Sequence, residues 1–258
     1  MNPWEKGVWC LTVGLAAAVL ARLWWTGLAR IYKLLFCYLA VDCLSSIGGI
    51  AIHSRSAFYA YFYFGAQTLK IAIAAFMLVE IYSLALERHP ALARFGRSAV
   101  GYILLLAGGI PLIALWWNHS APPGTHIYLR TFLRFEQTMD ATMGIFLILI
   151  SIFVGWFPVR LRRNVIVYIS GFIVWTLSRS VLAYVVAQSF GNKPVKLVAG
   201  ILQMLVGLGC LTYWLIAFRR EGEGRTSVVG HIWNRAEAER LTDQLDAIND
   251  SLERLRRK

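Results

Sequence analysis

Seven ionisable side chains fall inside long apolar stretches of this 258-residue chain: Asp42, Lys70, Glu80, Arg134, Glu136, Asp140 and Arg179. A charge at membrane depth is costly, so such residues pair with one another or line a polar pathway. Glu136 and Asp140 are four apart, which places both carboxylates on one face of a helix. At a rise of ~1.5 Å per residue, Arg179 lies ~13 Å from the outer end of its stretch. Glu136 and Asp140 lie nine and thirteen residues from the outer start of theirs, and Lys70 lies thirteen residues into its own. These four fall at similar depths in the outer half, two acids against two bases. Gln67 and Gln137 lie at a similar depth and add amide donors and acceptors. Such a set could recognise a polar or zwitterionic ligand in an outward-opening pocket. The competing expectation is an ion-pair network that closes the bundle and binds nothing. Asp42 and Glu80 sit nearer the opposite half, as steps of a proton or cation relay or as satisfied buried acids.

Other chemistry finds no support in the residues. There is no HExxH, and the five histidines stand singly at 53, 89, 119, 126 and 231, all at or beyond the ends of the apolar stretches. No GxSxG elbow and no phosphate-binding Gly-Lys loop occurs. The four cysteines, Cys10, Cys37, Cys43 and Cys210, form no CxxC and are expected to be buried free thiols. No catalytic residue, cofactor or metal site is expected.

The elements that must position these charges are membrane helices. The chain is 58% hydrophobic and 16% charged, against about 45–50% and 25% in soluble domains. Seven stretches reach spanning length, roughly 7–26, 33–53, 57–86, 98–117, 127–157, 164–189 and 195–218. The third and fifth exceed what hydrocarbon needs, so they tilt or project beyond it. The fold class expected is all-α, a polytopic seven-helix bundle. Tyr59, Tyr61 and Tyr63, together with Trp24, Trp25, Trp116, Trp117 and Trp156, mark interfacial belts. Gly108-Gly109, Gly200, Gly207 and Gly209 are expected to allow close helix contact.

The net charge of +12 belongs entirely to residues 1–233, which hold 20 Lys/Arg and 8 Asp/Glu; residues 234–258 hold 6 of each. That distribution suits a positive-inside bias and not nucleic-acid binding. Twelve basic residues gather on one side, among them Arg22, Arg30, Lys33, Arg94, Arg97, Arg162 and Arg220, against five on the other. The twelve-residue side is expected to be cytoplasmic. The N-terminus then lies outside and the C-terminus inside, in an inner or plasma membrane.

Residues 1–220 form the expected transmembrane domain, 221–233 a flexible linker and 234–258 an amphipathic cytoplasmic helix. In that helix Leu241, Leu245, Ile248, Leu252 and Leu255 recur at 4, 3, 4, 3, a heptad seam. Little more than two heptads is marginal alone in water. The seam therefore needs a partner: a second copy, the cytoplasmic loops or another protein.

The turn Trp156-Phe157-Pro158-Val159-Arg160 and the stretch Gln244-Leu245-Asp246-Ala247-Ile248-Asn249 give the chain its family likeness. It resembles uncharacterised seven-helix membrane proteins of bacteria, a resemblance that implies the fold and no activity. In topology it is also similar to the membrane-sensing modules of bacterial receptors, although nothing catalytic follows the seventh helix. The function expected is a receptor-like sensor with an outer polar pocket coupled to a partner-docking cytoplasmic helix. A structural accessory subunit with a silent ion-pair network stands second, and a small transporter or ion-conducting protein third. Only the fourth helix carries a Gly/Pro break, which disfavours transport.

Overall fold

A computed structural model describes residues 3–52, 57–86, 90–117, 125–156, 160–188 and 193–228, with 240, 241, 243, 244, 247, 251 and 254 of the tail. Those residues are almost entirely helical. Seven long helices follow one another: α1 (Pro3–Trp25), α2 (Lys33–Ala51), α3 (Ala57–Ala85), α4 (Pro90–Trp117), α5 (Thr125–Trp156), α6 (Arg163–Gln188) and α7 (Lys193–Ala217). Hydroxyls inside the helices are met locally. Thr12 donates to Val8 O, Ser83 to Val79 O, Thr142 to Thr138 O and Ser151 to Leu147 O, all at 2.8–2.9 Å. Each bond runs one turn back, so these polar residues need no partner on another helix.

Five helices contain stretches long and apolar enough to cross a membrane: Gly7–Trp25, Tyr61–Ala85, Phe135–Phe153, Arg163–Val186 and Pro194–Ala217. The expected seven therefore meet a count of five among the described residues. Helix α2 opens on Lys33 and carries Asp42, and the apolar stretch described in α4 is only Gly96–Ala107. Large apolar side chains such as Leu105, Ile145, Ile152, Leu205 and Ile216 are exposed along the helices, a surface that suits lipid and not water. Trp24, Trp25 and Trp156, at helix ends, are exposed too.

The chain divides into two compact units. The first holds residues 1–77 and 170–220. Its helix α1 packs along both α2 and α7. Leu23, Tyr32, Leu39, Phe172, Trp214 and Phe218 are buried within it. The Tyr32 and Phe218 rings lie 5.5 Å apart, and Arg22 Nε donates to Phe218 O at 3.0 Å, closing the ends of α1 and α7 together.

The second unit holds residues 78–169 and 221–258. Helices α4 and α5 pack together there, over buried Val100, Leu104, Met139, Met143 and Leu147. It also contains the two strands of the structure described, β1 (Arg160–Arg162) and β2 (Thr226–Val228), antiparallel with Leu161 opposite Ser227. The segment expected as a flexible linker thus begins as a 3-10 turn, Arg220–Glu223, and then a paired strand. Tail residues 240, 241, 243, 244, 247, 251 and 254 are helical. Leu245, Ile248, Leu252 and Leu255 of the heptad seam lie outside the described residues.

Candidate functional site

In the first unit, three helices each offer a pair of polar or aromatic groups on one face. Helix α2 carries Tyr38 and Asp42, α3 carries Gln67 and Lys70, and α6 carries Trp175 and Arg179. Spacings of three or four residues stack each pair along its helix. Lys70 Nζ donates to Asp42 Oδ1 at 3.2 Å, with the side chains 17% and 23% exposed. Trp175 Nε1 donates to Tyr38 Oη at 3.2 Å, and the Tyr38 side chain is buried. Gly207 of α7 makes this possible, because a Cβ there would lie 2.9 Å from the Trp175 ring. Of the other glycines expected to mediate tight contact, Gly109, Gly200 and Gly209 have no neighbour within 4 Å of that position. Their missing side chains leave surface free for lipid.

Helix directions settle the level of Arg179. Contacts of Cys43 with Val13 and of Trp24 with Phe36 make α1 and α2 antiparallel. Ser170 with Tyr213, and Trp175 against Gly207, make α6 and α7 antiparallel. Helices α1 and α7 pack along each other with their C-terminal ends joined, so they are parallel. It follows that α2 and α6 are parallel as well. The step from Tyr38 to Asp42 and the step from Trp175 to Arg179 run the same way, about 6 Å each. Half-buried Arg179 therefore lies at the level of Asp42 and Lys70. Gln67, buried, is one turn from Lys70 on α3.

This pairing differs from the one expected. Depth along the sequence groups Lys70 with Glu136, Asp140 and Arg179, and Asp42 with Glu80 nearer the cytoplasmic side; the structure joins Lys70 to Asp42. Asp42 is the tenth residue of the 19-residue α2, and Lys70 the fourteenth of the 29-residue α3. Both are near the midpoints of antiparallel neighbours, so they meet. Lys70 and Arg179, with Gln67, belong to the first unit, and Glu136 and Asp140, with Gln137, to the second.

In the second unit, Asp140 is buried, while Glu136 and Gln137 are half-buried on the same helix. Glu80 accepts a hydrogen bond at 3.2 Å from Tyr168 Oη, whose side chain is fully buried. A hydroxyl on a carboxylate is a charge-assisted bond, and it ties the end of α3 to the start of α6. The side chain of Arg134 lies outside the described set.

A third polar group escaped the sequence reading. Asn164, fully buried in the first turn of α6, donates through Nδ2 to Glu223 Oε1 at 2.7 Å. Arg162 Nη1 approaches the other oxygen, Oε2, at 3.3 Å. Fifty-nine and sixty-one residues separate these partners, so no local pattern announces them. The available signal was an acidic pair, Glu221 and Glu223, following α7 on the side that also carries Arg160, Arg162 and Arg163.

All four cysteines are free; Cys43 and Cys210 are buried as expected, but Cys10 and Cys37 are exposed. Both lie on helix faces turned away from the packed neighbours. Among the described residues, no group of three His, Cys, Asp or Glu side chains could hold a metal ion. No protein-family profile, curated protein or solved structure matches the chain.

Proposed function

We propose that this protein is a receptor-like membrane sensor. In this reading all seven long helices span an inner or plasma membrane, with the N-terminus outside and the C-terminus cytoplasmic. The observation that carries it is the Lys70–Asp42 pair, in mid-helix yet 17% and 23% exposed. A partly exposed pair contributes little to stability as a contact alone, and its charges remain within reach of a polar ligand. Tyr38, Gln67, Trp175 and Arg179 surround that level with donors, an acceptor and an aromatic face. Two cations and one carboxylate suit a zwitterionic ligand whose carboxylate meets Lys70 or Arg179 and whose amine meets Asp42. The cytoplasmic helix, through Leu241, Leu245, Ile248, Leu252 and Leu255, docks the partner or second copy that receives the signal.

The second reading, an accessory subunit with a silent network, draws support from the same bond, because Lys70 and Asp42 already satisfy each other. The test is thermal unfolding of the full-length protein in detergent against a panel of small zwitterions. A sensor gives a Tm increase with at least one of them, and the increase disappears in Asp42→Asn. No increase with any zwitterion, together with a large stability loss in Asp42→Asn, favours the silent network.

A further inference from the structure

The chain leaves α7 at Ala217, and by Thr226 it is paired with a strand that directly precedes α6. Four contacts hold it there. Arg163 N donates to Arg225 O at 3.0 Å. The β1–β2 ladder aligns Arg160 to Arg162 with Val228 to Thr226. Glu223 accepts from Asn164 at 2.7 Å and from Arg162 at 3.3 Å. Gly222 is buried against the Asn164 amide, where any Cβ would collide with Oδ1. Glycine at this position lets the turn approach closely enough for the Glu223 carboxylate to reach Asn164.

Three-residue strands are weak by themselves, since an isolated two-stranded ladder is marginal in water. Most of the fixed geometry must therefore come from the one carboxylate. Glu223 is only 16% exposed and receives two donors, whereas the Arg225–Glu221 pair beside it is 68% and 78% exposed at 3.7 Å. A buried acid left without its donors is penalised much more than an exposed one. The carboxylate also stands at the N-terminal end of α6, where the helix dipole favours negative charge.

The geometry points to Glu223 as a latch that hands the cytoplasmic tail from α7 to α6. With the latch closed, residues 229–258 continue from a strand anchored to the first turn of α6 and not from a free end of α7. Helix α6 also carries Trp175 and Arg179, so the helix bearing the ligand-facing residues is the one that holds the tail. A rotation or shift of α6 is then transmitted to the tail through Asn164 and Glu223. Glu223 and Asn164 are positioning residues in this scheme. As the output of a sensor the latch rests on the functional reading above; as a mechanical link it is tested with no ligand, so the two fail separately.

The experiment uses the full-length protein in lipid nanodiscs, with Glu223→Ala and Glu223→Gln compared with the wild type. Amide exchange in peptides covering 160–164 and 224–228 should be about tenfold faster in Glu223→Ala, the scale of one lost charge-assisted bond. Glu223→Gln keeps an acceptor for Asn164 and should fall between. Peptides covering 170–185 should not change, which shows that α6 is intact. Spin labels at Gln244 and Ser98, in a background with Cys10 and Cys37 changed to Ser, report the tail directly. Their distance distribution should be narrow in the wild type and broad in Glu223→Ala. Unchanged exchange at 160–164 overturns the latch, as does faster exchange with an unaltered distance distribution. If Glu223→Ala also loses protection through 170–185, Glu223→Gln carries the same two readouts and the same criteria.

Discussion

Lys70 and Asp42 meet at 3.2 Å from the midpoints of two antiparallel helices, α3 and α2. Each charge stands in mid-helix, and each finds an opposite charge there. Neither is wholly withdrawn from solvent. The pair is a contact between two helices of the first unit that is only partly shielded.

Stability should respond to this pair as a unit. Breaking a fully buried ion pair costs about 3–5 kcal/mol and an exposed one about 0–1, so Asp42→Asn and Lys70→Gln should each fall between, at about 1–3 kcal/mol. Asp42→Asn/Lys70→Gln should recover part of that loss. Thermal unfolding of the four proteins in detergent gives the coupling energy; strict additivity would mean that the two charges do not interact.

The neighbouring aromatic contact depends on a missing side chain. Gly207→Leu should push Trp175 out of place and cost about 1–3 kcal/mol, the usual penalty for overfilling a packed site. Trp175→Phe, which loses the bond to Tyr38 and part of the ring that packs on Gly207, should cost about 1–3 kcal/mol. Combining the two should cost less than their sum, because the ring displaced by Leu is already without its donor. Equilibrium unfolding of the three variants checks the ordering.

Tyr168→Phe removes the hydroxyl that donates to Glu80. Hydrogen bonds to charged groups are worth about 1.5–3 kcal/mol, and a loss in that range is expected. Glu80→Gln should be milder, since a neutral amide oxygen still accepts from Tyr168. An equal loss in both variants would show that the charge on Glu80, and not the hydrogen bond as such, dominates this contact.

Topology is open to a fusion test. A reporter active only in the cytoplasm should be active after Lys258 and silent within residues 118–126. Activity at both places requires an even number of crossings between residue 118 and the tail, against the three apolar helices, α5, α6 and α7, that follow it.

The sequence by itself determined where the helices run. Expected stretches at 33–53, 57–86, 164–189 and 195–218 became Lys33–Ala51, Ala57–Ala85, Arg163–Gln188 and Lys193–Ala217, because a long apolar segment in lipid must satisfy its backbone within itself. Helix α4 begins earlier than expected, at Pro90, so Arg94 and Arg97 of the expected loop lie in its first turns. Helical bonding does not stop where hydropathy falls.

Pairing was decided only by tertiary structure. Depth along a helix can be counted from sequence, but the azimuth toward one neighbour or another cannot, and that angle brings Asp42 to Lys70. The Asn164–Glu223 contact was still less legible, since its partners are 59 residues apart and one of them lay in an apparent linker. Local pattern records which residues prefer burial or lipid; which buried groups meet depends on how helices far apart in the chain turn their faces to each other.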